Sequence, residues 1–242
     1  LKYNKTAGLI LKLVEYKDYD FIVSILSPSL GKISAVARGA RRPKSRKTAH
    51  LDIFNFNEFQ LYHGKGMDSI NETKCTESFR EFRKKYPFHL FYLAELLEKI
   101  SFDEEDARNI YELILISLKL ADENDFKKFI AVIELKLLKL LGFEPELSVF
   151  LNSGKKFELE DKFYAAYEQP GYNTKGEKNL QVKPDIIKIQ RFILTKNLEN
   201  QKLLTVQEEQ LNIISRLNKL WIQNVFDLKL KSIKFLDLNS NF

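Results

Sequence analysis

The sequence is poor in the residues that usually carry metal and redox chemistry. It has one cysteine, Cys75, one methionine and one tryptophan among 242 residues. A single cysteine excludes an intramolecular disulfide and any multi-cysteine zinc site, and it suits a reducing cytoplasm. With no motif around it, Cys75 reads as a structural thiol rather than a nucleophile. The three histidines, His50, His63 and His89, lie at no metal-ligand spacing and read as solvent-facing or capping residues. No run of 18 apolar residues is present, and the first residues form no signal-peptide core, so a soluble intracellular protein is the expectation. Clustered carboxylates fit for catalysis are also missing. The acidic group Asp103 to Asp106 is explained by a helix N-terminus, where negative charge meets the positive end of the dipole. No metal, no cofactor and no enzymatic activity are expected.

What is present is apolar bulk and an uneven distribution of charge. Hydrophobic residues make up 44%, with 19 Phe and 10 Tyr, enough to build cores and to rule out global disorder. The formal net charge is +6. Residues 1–78 hold 13 Lys/Arg against 8 Asp/Glu, and the remaining residues hold 26 against 25. Nearly all the excess lies in the first third, which points to a polyanionic partner for that part.

Most of the excess sits in one stretch, Gly31 to Ala49. It begins as a strand, with Ile33, Ala35 and Ala37 on one face at period two. Gly39 ends that pattern. Arg38, Arg41, Arg42, Lys44, Arg46 and Lys47 then place six positive charges in ten residues with no acidic residue among them. Such a run cannot enter a core, so it forms a solvated loop leaving a strand. Two readings stand: phosphate neutralisation, with the Ser45 hydroxyl suited to a phosphate oxygen, or ordinary solvation.

In chain order, residues 7–16, 21–26 and 32–38 read as strands, followed by His50–Tyr62 with a bulge or bend at Asn55 and Asn57, and then Met67–Cys75. Five short strands with Gly-rich turns suit a small barrel, and an OB-fold is the natural candidate. On the long strand Phe59 reads as core. Tyr62 reads equally as core or as a base-stacking ring. Gly64-Lys65-Gly66 is a turn, since it lacks the ending and the following helix of a phosphate loop; Lys65 remains a candidate DNA contact. From Phe79 the period changes to 3.6. Helices are expected after Pro87, after a capping box at Ser101 and Glu104, over about 125–141, over 185–194, and after a second capping box at Thr205 and Glu208. Residues 148–184 read as an irregular excursion, and the last residues as a short strand or a disordered tail. The expected class is α+β: an OB-fold domain over 1–78 and a mainly helical domain over 79–242.

The segments Asp20-Phe-Ile-Val, Gly31-Lys-Ile, Ala37-Arg-Gly-Ala-Arg-Arg and Lys44-Ser45 resemble the bacterial DNA repair protein family RecO. So do Tyr92-Leu-Ala-Glu-Leu-Leu, Asp106-Ala-Arg, Tyr111-Glu-Leu and Glu134-Leu-Lys-Leu-Leu-Lys-Leu-Leu-Gly-Phe-Glu-Pro. The resemblance covers residues 7 to about 154. It implies a recombination mediator rather than an enzyme: a protein that binds single- and double-stranded DNA, anneals complementary strands, and helps RecR load RecA onto strands coated by single-stranded DNA-binding protein (SSB). It further implies a cytoplasmic, nucleoid-associated protein, here taken as a monomer on its own. Two departures stand out. The family's zinc frame Pro-x-Leu-x-x-Cys-x-x-Cys-Gly reads here with Phe150 and Ser153 in place of both cysteines, so the excursion must be held by packing or be loose. The Arg pair that helps some members bind the acidic SSB tail is replaced by Ala131 and Val132. Lys127, Lys128, Lys136 and Lys139 are the remaining candidates for that contact. The alternative is a non-catalytic adaptor whose basic loop meets an acidic protein.

Overall fold

The computed structural model describes residues 2–158, 160–176 and 180–237. It divides into two compact units, residues 1–112 with 230–242 and residues 113–229.

The first unit is built on five strands: β1 (Tyr3–Tyr16), β2 (Asp20–Ser27), β3 (Gly31–Ala37), β4 (Phe56–Tyr62) and β5 (Asp68–Glu77). Their pairing runs β1-β2-β3-β5-β4 and closes through β1 and β4 into a barrel. All pairs are antiparallel except that between β3 and β5, which is parallel and only two residue pairs long. β1 takes part twice, pairing with β4 through its first half and with β2 through its second. It can turn between partners because Gly8 has no side chain, since a Cβ there would meet Ile25 at 2.3 Å and Phe59 at 3.1 Å. A register shift at Leu11 adds to the bend. The barrel interior is filled by Ile10, Val23, Ile25, Ala35, Ala37, Phe59, Leu61 and Ile70. Phe59 is therefore core, as its place in the alternation indicates.

The segment before β4 differs from the expected strand. Residues 48–50 form a short 3-10 turn, Phe54 is buried in the left-handed region at φ 67°, and β4 starts only at Phe56. Asn55 and Asn57 are buried for a reason alternation cannot show. Each Nδ2 donates to the His50 carbonyl at 3.0 Å. The Arg83 guanidinium then locks this turn by donating to Asp52, Asn55 and the carbonyl of Ile53.

After the barrel come α1 (Arg80–Lys85), α2 (Pro87–Lys99) and α3 (Glu104–Leu120). The capping box expected at Ser101 and Glu104 does not form; Asp103 caps instead, its Oδ1 accepting from the Asp106 N–H at 2.9 Å. α2 lies on the barrel: Glu98 accepts from Ser24 at 2.5 Å, and Lys32 Nζ donates to the carbonyls of Glu98 and Ile100 at 2.6 and 2.7 Å. The lysine thus satisfies the open carbonyls at the helix C-terminus.

The second unit contains α4 (Phe126–Leu140), strands β6 (Phe163–Ala165), β7 (Tyr172–Asn173) and β8 (Gln181–Val182), α5 (Pro184–Thr195) and α6 (Glu208–Val225). The capping box of α6 uses Gln207 and Gln210 rather than Thr205 and Glu208. α4 is buried on nearly every face, as its wide apolar stripe implies. The 148–184 region is more ordered than its composition suggests, because it forms a three-stranded sheet in the order β7-β6-β8. Aromatic packing holds it. Phe150, where the resembled frame has a cysteine, lies 4.7 Å from Phe157 and 5.4 Å from Phe163 between ring centroids. Tyr172 joins the cluster and meets Trp221 at 5.9 Å. Among the described residues, no group of His, Cys, Asp or Glu is placed to hold a metal. Truncation of Phe150 to alanine should cost about 3–5 kcal/mol in urea unfolding, and chelator should leave the melting temperature of the parent protein where it was.

The C-terminal segment, expected as a strand or tail, is a short helix, α7 (Ile233–Asp237); residues 238–242 lie outside the described residues. It is tied to α2 within the first unit by Glu95. Burial opposes ionisation of this carboxylate, but it accepts from the Ser232 hydroxyl at 2.6 Å and from the Lys231 and Ser232 N–H groups, and Lys99 pairs with it. The hydrogen bonds prevail and lower the Glu95 pKa from 4.5 to about 2. A carboxyl depressed in the folded state stabilises above its unfolded pKa and loses that contribution as pH falls through the folded one. Glu95→Gln should therefore melt below the parent protein at pH 7, and the two melting curves should converge between pH 4.5 and about 2.

Candidate nucleic-acid interface

The basic loop leaves β3 at one end of the barrel, and the strand registers show what shares that end. Glu15 at the end of β1 faces Phe21, and Phe21 faces Ala37 at the end of β3. On the other side Val36 faces Ser69, Ser69 faces Tyr62, and Tyr62 faces Tyr3 at the start of β1. The turns at residues 17–19 and 63–67 and the basic loop therefore gather at the same end.

A chain carrying six like charges in ten residues stays ordered because its backbone is anchored. Gly39 takes a left-handed turn at φ 63°, and its N–H donates to Asp20 Oδ1 at 2.8 Å. The Arg41 N–H donates to the Tyr19 carbonyl at 2.9 Å, and the Ser45 N–H to the Arg42 carbonyl at 2.9 Å. At the far end the Thr48 hydroxyl donates to the Ala40 carbonyl.

The candidate cations separate into two groups. Arg41 is paired with Glu15 at 2.7 Å and lies over the Phe21 ring, while Lys47 donates to the Ile70 carbonyl at 2.6 Å. Burial lowers the Lys47 pKa, with Asp20 opposing and Arg38 reinforcing. These two side chains are half-buried and fasten the loop. Arg42 is exposed and rests on the Tyr19 ring at 5.4 Å. Arg38, Lys44 and Arg46 are exposed and have no acidic partner among the described residues. Ser45 is half-buried, its Oγ accepting from the Lys47 N–H at 3.3 Å. Tyr62 is half-buried with its ring 5.2 Å from Tyr3, and Lys65 is exposed in the neighbouring turn. In that turn His63 finds a carboxylate that its sequence neighbourhood does not suggest, Asp68 at 2.8 Å.

Sequence reading missed three aromatics at this end: Tyr3, Tyr16 and Tyr19, exposed to 49, 40 and 50%. The signal was present in Tyr16-Lys-Asp-Tyr19, where the two aspartates at positions 18 and 20 drew attention to the turn rather than to its rings. A separate cleft of about 740 Å³ lies beside Thr48, lined by His50, Cys75, Phe79 and Arg80 with Asp52 and Arg83. Its Arg83 and Asp52 pair with each other at 2.6 Å, and burial pushes the Cys75 thiol up, away from the reactive thiolate.

The four lysines singled out for a protein partner lie in the second unit. Lys128 is buried, paired with Asp125 at 3.0 Å and bonded to the Leu204 carbonyl. Lys136 donates to the Lys196 carbonyl at 2.8 Å, and burial lowers its pKa. Lys139 pairs with Glu144 at 2.9 Å. Lys127 is the least engaged, 3.9 Å from an exposed Glu208. Ala131 and Val132 are fully buried.

An α+β chain with a five-stranded closed barrel of this pairing and a second, mainly helical part belongs to the OB-fold class. Comparison with known proteins narrows this. Residues 1–79 match the family description "Recombination protein O N terminal" and residues 88–234 match "Recombination protein O C terminal". The proteins named DNA repair protein RecO from Acetivibrio thermocellus and Symbiobacterium thermophilum are each 28% identical to this chain, covering 98% and 95% of both partners. That of Dehalococcoides mccartyi strain 195 is 27% identical over 96% of this chain and 94% of its own length. The chain belongs to the RecO family of DNA repair proteins.

The Asp20–Gly39 bond should control how the loop leaves the barrel. Asp20→Ala is expected to speed hydrogen exchange at the Gly39 amide strongly while leaving amides of the β2–β3 pair protected, a pattern readable by NMR.

Proposed function

We propose that this protein binds DNA through the loop end of its barrel and acts as a recombination mediator, annealing complementary strands and working with RecR to load RecA onto SSB-coated single strands. Membership of the RecO family supports the reading, and one observation carries it: Arg38, Lys44 and Arg46 stand exposed, and without acidic partners among the described residues, at the barrel end where the three turns meet. Loops and strands at this position on OB-folds bind oligonucleotides. The six cations of the loop outnumber the nearby carboxylates of Glu15, Asp18, Asp20 and Asp68, which keeps the net charge at this end positive. The protein performs no bond-making chemistry in this reading. RecR and the SSB tail are its protein partners, with Lys127 the best placed of the four lysines to meet an acidic tail.

Binding follows counterion release, so it should be strong at low salt and weak in sequence preference. The triple variant Arg38→Ala, Lys44→Ala, Arg46→Ala should reduce the slope of log K against log salt by about 2.1–2.7, at about 0.7 per contact for single strands and 0.9 for duplex. Folding should change little, because exposed charges of this kind contribute within about half a kcal/mol. An unchanged slope in a folded triple variant, with loss of a protein partner instead, would favour the adaptor reading.

A further inference from the structure

Positive charge accounts for attraction to any nucleic acid, but it does not account for four exposed or half-exposed tyrosines at the same barrel end. Tyr19 is half exposed and carries Arg42 on its ring at 5.4 Å. Tyr16 is 40% exposed with the Lys17 ammonium 5.2 Å from its ring centroid. Across the loop, Tyr3 is 49% exposed and lies against Tyr62 at 5.2 Å with the planes tilted by 58°. Large aromatic rings left in water cost hydrophobic free energy unless something covers them. Here the Tyr16 and Tyr19 rings carry the cations of Lys17 and Arg42, and the loop between the two groups is cationic, so an apolar protein surface is a poor match and a polyanion with flat apolar faces is a good one.

The registers place the two groups on opposite sides of the loop. From β2, which follows Tyr19, to β4, which ends in Tyr62, there are three strand steps by way of β3 and β5. At about 4.8 Å per step this is about 15 Å around the barrel wall, well within reach of the oligonucleotide lengths that single OB-folds hold. A duplex keeps its base faces stacked inside and can offer only phosphates to such a surface. A single strand can offer phosphates to the loop and bases to both groups of rings.

We infer that Tyr19, with Arg42 behind it, and the Tyr3–Tyr62 pair are base-stacking steps on either side of the basic loop, and that they make this surface prefer single-stranded over double-stranded nucleic acid. This rests on the DNA-binding reading above. Cation–π contact braces the Tyr19 ring while half of the residue stays exposed, so stacking a base on it requires little reordering of the free protein. The loop supplies affinity for both forms of DNA, and the rings supply the difference between them.

The test measures binding of the full chain to a mixed-sequence single strand and to the corresponding duplex, each by anisotropy over a range of salt. Tyr19→Ala should weaken single-strand binding by about 5- to 150-fold, the range for loss of one base–aromatic stack. Duplex affinity should change less than about two-fold and both salt slopes should stay as in the parent, since no phosphate contact is removed. Tyr19→Phe should restore single-strand binding, because stacking needs the ring and not the hydroxyl. Tyr62 is half-buried, so Tyr3→Ala reads the second step should Tyr62→Ala lose its fold. Equal losses on single strand and duplex, or no loss on either, would overturn the inference while leaving the DNA-binding reading standing. A parent protein that binds neither form would overturn both.

Discussion

The barrel depends on a short contact. Two residue pairs, Ala35 with Asp68 and Val36 with Ser69, join β3 to β5 in parallel and turn an open sheet into a ring. Parallel neighbours need a long connection, and here that connection is residues 38–67, which contain the basic loop, the 50–55 turn and β4. The stagger of this pair, which sets the last residues of β3 beside the first of β5, brings the two ends of the excursion together. Small residues at the junction make it possible, since Ala35, Ala37 and Ala40 are all fully buried there. The interface is a consequence: the loop leaves from β3, the 63–67 turn returns into β5, and the β1–β2 turn lies alongside β3's partner.

The same geometry decides which charges are free. Six positive charges in ten residues would repel one another out of any fixed conformation if all faced water equally. Two of them, Arg41 and Lys47, instead serve the fold, one through Glu15 and Phe21, the other through the Ile70 carbonyl. Their neighbours Arg38, Lys44 and Arg46 are held outward by a backbone fastened at Gly39, Arg41, Ser45 and Thr48. Preorganised cations lose less freedom on meeting a phosphate than cations on a loose chain. The anchored pair is thus part of the reason the unpaired three are effective.

Much of this was legible in the sequence, because local chemistry and tertiary structure agree there. Alternation located β1, β2, β3 and β5 to within a few residues, and the charge run had no other place than a solvated loop. The α4 stripe announced a buried helix. The failures share a cause. In the sequence, residues 50–55 read as strand because Leu51, Ile53, Phe59 and Leu61 keep step, yet the polar side chains between them decide the conformation by bonding the His50 carbonyl and Arg83. The capping boxes at Ser101 and Thr205 lost to residues two positions on, Asp103, itself a good cap, and Gln207, which pairs reciprocally with Gln210. The distinction between fastening and free cations in the loop was also invisible, since it depends on Glu15 and Ile70, distant in the chain.

The 148–184 region shows how aromatic packing can hold a short turn. In the resembled frame two cysteines flank a Cys-x-x-Cys-Gly turn; here Phe150 and Ser153 stand at those positions. A turn forms here: the N–H groups of Ser153 and Gly154 donate to the Phe150 carbonyl at 3.3 and 2.8 Å, and Gly154 takes the left-handed φ of 66° that its lack of a side chain permits. A tetrahedral site asks for four converging polar ligands, whereas Phe150 turns the same position into an apolar anchor for Phe157 and Phe163. Tyr172 joins them with its buried hydroxyl satisfied, since it donates to Gln190 at 2.7 Å. Tyr172 then touches Trp221, whose indole N–H donates to the Ala166 carbonyl at 2.9 Å, tying α6 to the strand β6 segment within the same unit. Packing of this kind needs neither reduced thiols nor a supply of metal, so the stability of this region is set by the shape of five aromatic side chains.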